Sequence, residues 1–318
     1  MHIPDGFLDA KTALTTAALS TVGLGYALRR VRHELTPRRM PLLGLSAAFL
    51  FAAQMVNFPV AGGTSGHLVG AALVAALLGP SAAVIVLATV LIVQCFLFAD
   101  GGILALGANI FNMGLVATIG GYAVYRAAQR LMPGVRGRAA AIAFAGWCSA
   151  VLASVSCAGQ LAWSGVASWN IALPAMAGVH MLIGVGEGLI SALVLVAVAR
   201  TRPDLLPEAS VESSSGRLRG FVVLGLVASI GVALFVAPFA CSWPDGLDAV
   251  AGRLGFAARE SAPLLSAPVP NYRIPGIASP GMATAAAGAV GALAAFGLAV
   301  GFSRLLVREP SAAKPSHS

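Results

Sequence analysis

SAAVIVLATVLIVQCFLF, residues 81–98, runs eighteen positions without a charged side chain, and its reading decides the fold. A helix that crosses a bilayer needs about 20 mostly apolar residues, within a range of roughly 17–25. Outward from this segment, eight more stretches read as spanning or nearly so: 8–28, 40–58, 67–79, 104–126, 139–162, 172–199, 219–240 and 283–303. The segment 67–79 is short and ends at Gly79-Pro80, a helix break, so it reads as a half-span or a tilted helix buried in protein. Composition agrees: of 318 residues 58% are hydrophobic and 10% are charged, against about a quarter charged in soluble domains. The expected fold is an all-α polytopic membrane protein, and water-soluble classes are excluded.

The net charge of +8 has its explanation in topology rather than in nucleic acid, because basic residues gather on the cytoplasmic side of a membrane. With the N-terminus outside, the cytoplasmic stretches hold Arg29, Arg30, Arg32, Arg38 and Arg39, then Arg126, Arg130, Arg136 and Arg138, then Arg200, Arg202, Arg217 and Arg219. The tail adds Arg304, Arg308 and Lys314, leaving only Lys11, Arg253, Arg259 and Arg273 outside. Nine crossings then put the C-terminus inside. The first segment lacks a basic leader and a clean small-residue cleavage site, so it is expected to be retained. Cys95, Cys148, Cys157 and Cys241 form no CxxC pair and are expected to pack rather than bind metal.

Residues 200–219 are charged and contain Pro and Ser, and 206–219 within them read as a cytoplasmic linker. It separates a seven-helix unit, 1–205, from two further helices in 220–318 that flank a Pro- and Gly-bearing outer loop, 241–282. The smaller unit is expected to pack on the larger.

The N-terminus carries the chemistry. The α-amine of Met1, the amide nitrogen of His2 and the His2 Nδ1 close a five- and a six-membered chelate ring around one ion. Three nitrogens then lie in a plane with one position open, a geometry that favours Ni(II) or Cu(II). Pro4 stiffens the chain behind the chelate, and Asp5-Gly6 reads as a turn that folds the tip back. The fourth ligand should be a neutral imidazole on the outer side. His33 and His317 fall inside, which leaves His67 and His180, and His67 is the better placed. It ends the loop NFPVAGGTSGH, 57–67, where Asn57, Thr64 and Ser65 are expected to orient its ring. The bland reading is a chance His2 and a solvated loop histidine.

Three stretches, MHIPDGFLD at 1–9, NFPVAGGTSGHLVG at 57–70 and HMLIGVGEGLI at 180–190, resemble the substrate-binding (S) component of nickel/cobalt energy-coupling-factor transporters, the CbiM/NikM family. FVAPFACSWPDGLDAVAGRLGF at 235–256 is similar to the PDGLE-type, NikN-like domain often fused behind it. The resemblance implies capture of Ni(II) or Co(II) from outside, in the plasma membrane of a prokaryote. It also implies two kinds of partner, a transmembrane coupling (T) protein and cytoplasmic ABC-type ATPases. Its ligands map onto Met1, His2 and His67. The start MHIPDG looks more like nickel-type members, and PDGLD at 244–248 departs from the motif by Asp for Glu.

His180 and Glu187 share a face of one predicted helix. Glu187, an intramembrane carboxylate, is expected to be tied to Asn109, Asn112 or Gln94 rather than to relay ions. Ala48 and Ala52 form a small-xxx-small pattern expected to contact the coupling protein. The chain has no G-x-x-x-x-G-K-[ST], so ATP must be handled by another chain. Two alternatives stay open: a rhomboid-like intramembrane serine protease built on Ser65 and His180, and a stand-alone secondary metal transporter.

Overall fold

The computed structural model describes residues 1–36, 39–206 and 215–306. Arg38, Arg308, Lys314, His317 and linker residues 207–214 lie outside them. In chain order the helices are α1 (Ala10–Glu34), α2 (Met40–Gln54), α3 (Ala71–Leu78) and α4 (Pro80–Phe98). Next come α5 (Leu106–Asn109) and α6 (Ala117–Leu131), joined by a π-helical stretch over Ile110–Val116. They are followed by α7 (Gly134–Trp163), α8 (Trp169–Thr201), α9 (Ser215–Phe235), α10 (Gly246–Leu254) and α11 (Pro280–Leu306). Each predicted span coincides with a helix or with the α5–α6 rod. Four helices, α4, α7, α8 and α11, together with the α9 region over Gly216–Phe239, are long and apolar enough to cross a membrane on their own account. The fold is a polytopic all-α membrane architecture.

Two elements are additional to the sequence reading. The 57–67 loop is a small antiparallel hairpin, β1 (Phe58–Val60) and β2 (Thr64–Gly66), with Pro59 opposite Ser65. Gly62 and Gly63 turn it, both in the left-handed region, which only glycine enters without steric cost. The outer loop also carries α10, capped by the Asp245 carboxylate, which accepts from the Leu247 and Asp248 amides.

Of the two C-terminal helices, α11 packs on α2 and α4 and α9 packs on α2, so the smaller unit packs on the larger as expected. Glycines set the approach: a Cβ at Gly291 of α11 would strike the Phe51 ring of α2, and one at Gly225 of α9 would strike Leu45. Here one expectation is corrected. Gly44, four residues before Ala48 on the same face, lies against Phe296 and Val300 of α11. Ala48 and Ala52 are 0% and 1% exposed. The small-residue face is consumed by this chain's own packing and offers no surface to a coupling protein.

α3 begins late. Residues 67–70 are not helical, and Gly70 turns in the left-handed region at φ 74°. Irregular backbone at this depth is stable only when its polar groups are paired. Glu187 of α8 supplies the pairing, accepting from the Val69 amide at 2.6 Å and the Gly70 amide at 2.8 Å. The expected side-chain partners are engaged elsewhere: Asn109 with Ile3, Asn112 with Ser156 and Gln160, Gln94 with Gln54 and His2. Glu187→Leu should therefore leave two buried amides without an acceptor and lower stability by about 3 kcal/mol. The midpoint of thermal unfolding in detergent would show it, and an unchanged midpoint would mean those amides find other acceptors.

Candidate metal site

The first nine residues are a plug stitched into one end of the bundle. Ile3 and Phe7 are fully buried, and Phe7 meets Phe256 of the outer loop edge-on at 5.2 Å. Asn109 brackets Ile3, accepting from its amide at 2.8 Å and donating to its carbonyl at 3.1 Å. Asp5 is buried and accepts from the amides of Ile103, Leu104 and Ala105, while its own carbonyl accepts from Ser261. Gly6, at φ 93°, makes the turn against the Arg259 carbonyl, where no side chain would fit. Asp9 then caps α1 by accepting from Thr12.

This lacing sets His2 in the wall of a cavity of about 620 Å³, with Met1 buried behind it. The Met1 amine lies 3.1 Å from His67 Nε2 and donates to Asp245 Oδ2 in a short ion pair. The His2 and His67 rings stack at 5.4 Å. One ligand atom from each of His2, His67 and Asp245 lies within 4.8 Å of the others. Around the His2 ring, Nε2 is 3.0 Å from Gln94 Oε1 and Nδ1 is 3.3 Å from Asp100 Oδ1. The other Asp100 oxygen accepts from the Tyr272 hydroxyl, whose ring stacks on Phe98.

Electrostatics follows from burial and from these partners. Burial pushes the His2 imidazole below its ordinary value, with Asp100 opposing. Burial pushes His67 well below its own, helped by the adjacent amine and by His2. Both rings are thus neutral at physiological pH, with a lone pair to offer. Burial alone would also lower the Met1 amine, but Asp245 beside it, with Asp100 and Asp248 behind, holds it above 8.0. Asp245 is driven the other way: burial opposes ionisation, yet the amine and His67 keep its carboxyl low. Burial and Asp245 raise Asp248 to about 7. The cavity wall includes Asp100, Asp245, Asp248 and Glu260, a lining that concentrates cations.

Met1, His2 and His67 are brought together, whereas the residues expected to orient His67 are not at its ring. The His67 Nδ1 is 3.3 Å from the Leu68 carbonyl. Ser65 Oγ donates to the Trp243 carbonyl at 2.7 Å, Thr64 Oγ1 accepts from Arg253, and the Asn57 carbonyl accepts from the Cys241 amide. The His180 Nδ1 is 2.8 Å from the Met176 carbonyl, and its ring packs against Gly246, where a Cβ would sit 2.6 Å from Cε1. These four residues dock the outer loop on the bundle. Ser65 and His180, so engaged, make no nucleophile–base pair, and the protease alternative loses its geometry. The sequence reading also missed Asp245, Asp100, Gln54 and Tyr272 as neighbours of the site. Asp245 caps α10 through one oxygen, and nothing in the sequence marks what its second oxygen meets.

Comparison with known proteins places the chain among metal transport proteins. Residues 2–205 match the family model described as cobalt uptake substrate-specific transmembrane region, CbiM, and residues 219–308 match the PDGLE domain. The chain is similar to the putative fused nickel transport protein NikMN of Archaeoglobus fulgidus, 39% identical over 80% of this chain and 83% of that one. It is also similar to the fused nickel transport protein NikMN of Rhodobacter capsulatus, 34% identical over 75% and 72%. Among solved structures, a truncated transition metal transporter is 34% identical, with a TM-score of 0.58 over 63% of this chain and 99% of that one.

Proposed function

The chain belongs to the CbiM family of cobalt-uptake substrate-specific transmembrane proteins, fused here to a PDGLE domain, and we propose that it is the metal-capturing component of an ATP-driven energy-coupling-factor importer that prefers nickel. Nickel and cobalt are the ions this family carries across membranes. The observation that carries the proposal is the convergence of the Met1 amine, the His2 ring and His67 Nε2 beside an acid-lined cavity.

In this reading Met1 and His2 supply amine, amide and Nδ1, and His67 Nε2 fills the fourth in-plane position. Four nitrogens in a plane suit Ni(II), whose electron count gains most from a strong in-plane field. The two NikMN relatives, both named for nickel, support the same preference. The cavity faces outward and the arginine-rich loops face the cytoplasm, where the separate ATPases act through a coupling protein. The absence of a phosphate-binding loop from the sequence is consistent with that division.

The test is a Ni(II) titration of the full chain with an unblocked Met1. One ion per chain with the spectrum of a planar, diamagnetic centre is expected. In His67→Ala, water replaces the fourth nitrogen, and affinity should drop about a hundredfold. A six-coordinate spectrum, or undiminished affinity in His67→Ala, would overturn the reading.

A further inference from the structure

We propose that Gln54 and Gln94 form a relay of fixed hydrogen-bond direction that keeps the proton of the His2 ring on Nε2 and so leaves Nδ1 bare for the metal. This rests on the reading of Met1-His2 as the chelate.

The relay starts at a group that can only accept, the Val69 carbonyl. That residue is itself held, its amide donating to Glu187 at 2.6 Å. Gln54 Nε2 lies 3.1 Å from the Val69 oxygen and must donate to it. The Gln54 amide is thereby oriented with Oε1 toward Gln94, whose Nε2 donates at 2.8 Å. Gln94 is left with its oxygen facing His2 Nε2 at 3.0 Å. Two acceptors at that distance repel, so the ring nitrogen has to bring the hydrogen. Turning both amides over would set Gln54 Oε1 against the Val69 oxygen, again two acceptors face to face. Gln54 and Gln94 are buried, where a wrongly turned amide costs more than it would in water.

A neutral imidazole carries one N–H, and with it on Nε2 the Nδ1 lone pair is free. The opposing influence is Asp100, whose Oδ1 is 3.3 Å from Nδ1 and would draw the proton there. That contact is longer, and Asp100 is more exposed than Gln94. It also shares its charge with the Tyr272 hydroxyl. With the relay in control, a nitrogen lone pair and a carboxylate oxygen face each other, an arrangement relieved when a cation enters between them. Gln54 and Gln94 are positioning residues: they act on the metal through the His2 ring.

The experiment reads the tautomer in the metal-free, full-length chain, by nitrogen NMR of isotope-labelled histidine. The His2 signals are identified by their loss in His2→Ala. Wild type should show the proton on Nε2. Gln94→Leu removes the acceptor, so the proton should move to Nδ1 and Asp100, and Ni(II) affinity should fall at least about tenfold. Gln94→Glu keeps an acceptor and should keep the wild-type tautomer. Gln54→Leu frees the Gln94 amide to turn and should give a mixture, which serves if Gln94→Leu does not fold. A wild-type ring protonated on Nδ1, or on both nitrogens at neutral pH, overturns the relay even if nickel binds. The Nε2 tautomer in a chain that binds no nickel supports the relay and overturns the chelate.

Discussion

One residue placed ahead of Met1 should reduce metal affinity by about a hundredfold, the loss of one donor. The extension turns the Met1 amine into a peptide nitrogen, and the new amine it brings can close a further chelate ring only if the plug admits another residue. It also opens the five-membered ring that the amine closes with the His2 amide. The new residue has nowhere to go in the plug, because Met1 is 4% exposed and its nitrogen sits between His67 and Asp245. The Asp245 carboxylate, deprived of its ammonium partner, would keep only the Leu247 and Asp248 amides on its other oxygen. Docking of the outer loop should therefore loosen as well, seen as faster proteolysis within 241–282. The same residue added after Ser318 is the control and should change nothing. Nickel titration of the two extended chains decides the matter, since equal affinity in both would remove the N-terminal chelate from consideration. A retained formyl group should act like the N-terminal extension.

The membrane fold was legible because apolar length is a bulk property: 81–98 and its eight companions can be recognised without knowing what they touch. The proposed chelate could be read from the sequence for the opposite reason, being wholly local. Amine, amide and imidazole lie within two consecutive residues, and ring closure follows from covalent geometry. His67 came from topology, which left few imidazoles on the right side. What could not be read were pairings between distant residues. Met1 and Asp245 are 244 positions apart, and Gln94 meets His2 across 92.

The Glu187 case shows where the sequence reading went astray. Its partners were sought among polar side chains in neighbouring apolar segments, since those are the visible polar groups. The donors it accepts from are the main-chain amides of Val69 and Gly70, exposed because α3 begins at Ala71 rather than at 67. The Gly79-Pro80 break announced the end of that helix, whereas nothing announced its late start. Thr64 and Ser65 were likewise assigned to the nearest ring in sequence, His67. The hairpin instead turns them toward the outer loop.

Nickel affinity should fall about a hundredfold when the pH is lowered by one unit within a window set by two groups of the site, because each proton displaced contributes about tenfold. The upper edge is the ordinary amine value of 8.0. Burial pulls the Met1 amine down, but Asp245 outweighs it and the net shift is upward, so below 8.0 the metal-free chain carries an ammonium. The lower edge is about 7, above which Asp248 has ionised and contributes no further proton. Both imidazoles are pushed down by burial and are already neutral there. Two protons remain to be expelled, one from the ammonium and one from the His2 amide. The exchange also conserves charge, since a divalent ion bound to a deprotonated amide carries the same single positive charge as the ammonium it replaces. Asp245 thus faces one positive charge in either state, and its removal should alter proton release more than affinity. In Asp245→Asn the amine loses the carboxylate that raised it most while burial persists, so its value drops and less of it is protonated at the upper edge of the window. The slope there should decline toward a single proton, about tenfold per unit. Titrations at closely spaced pH values would show this. A wild-type slope of one proton, or identical slopes in the two chains, would mean that Asp245 does not hold the amine protonated before the metal arrives.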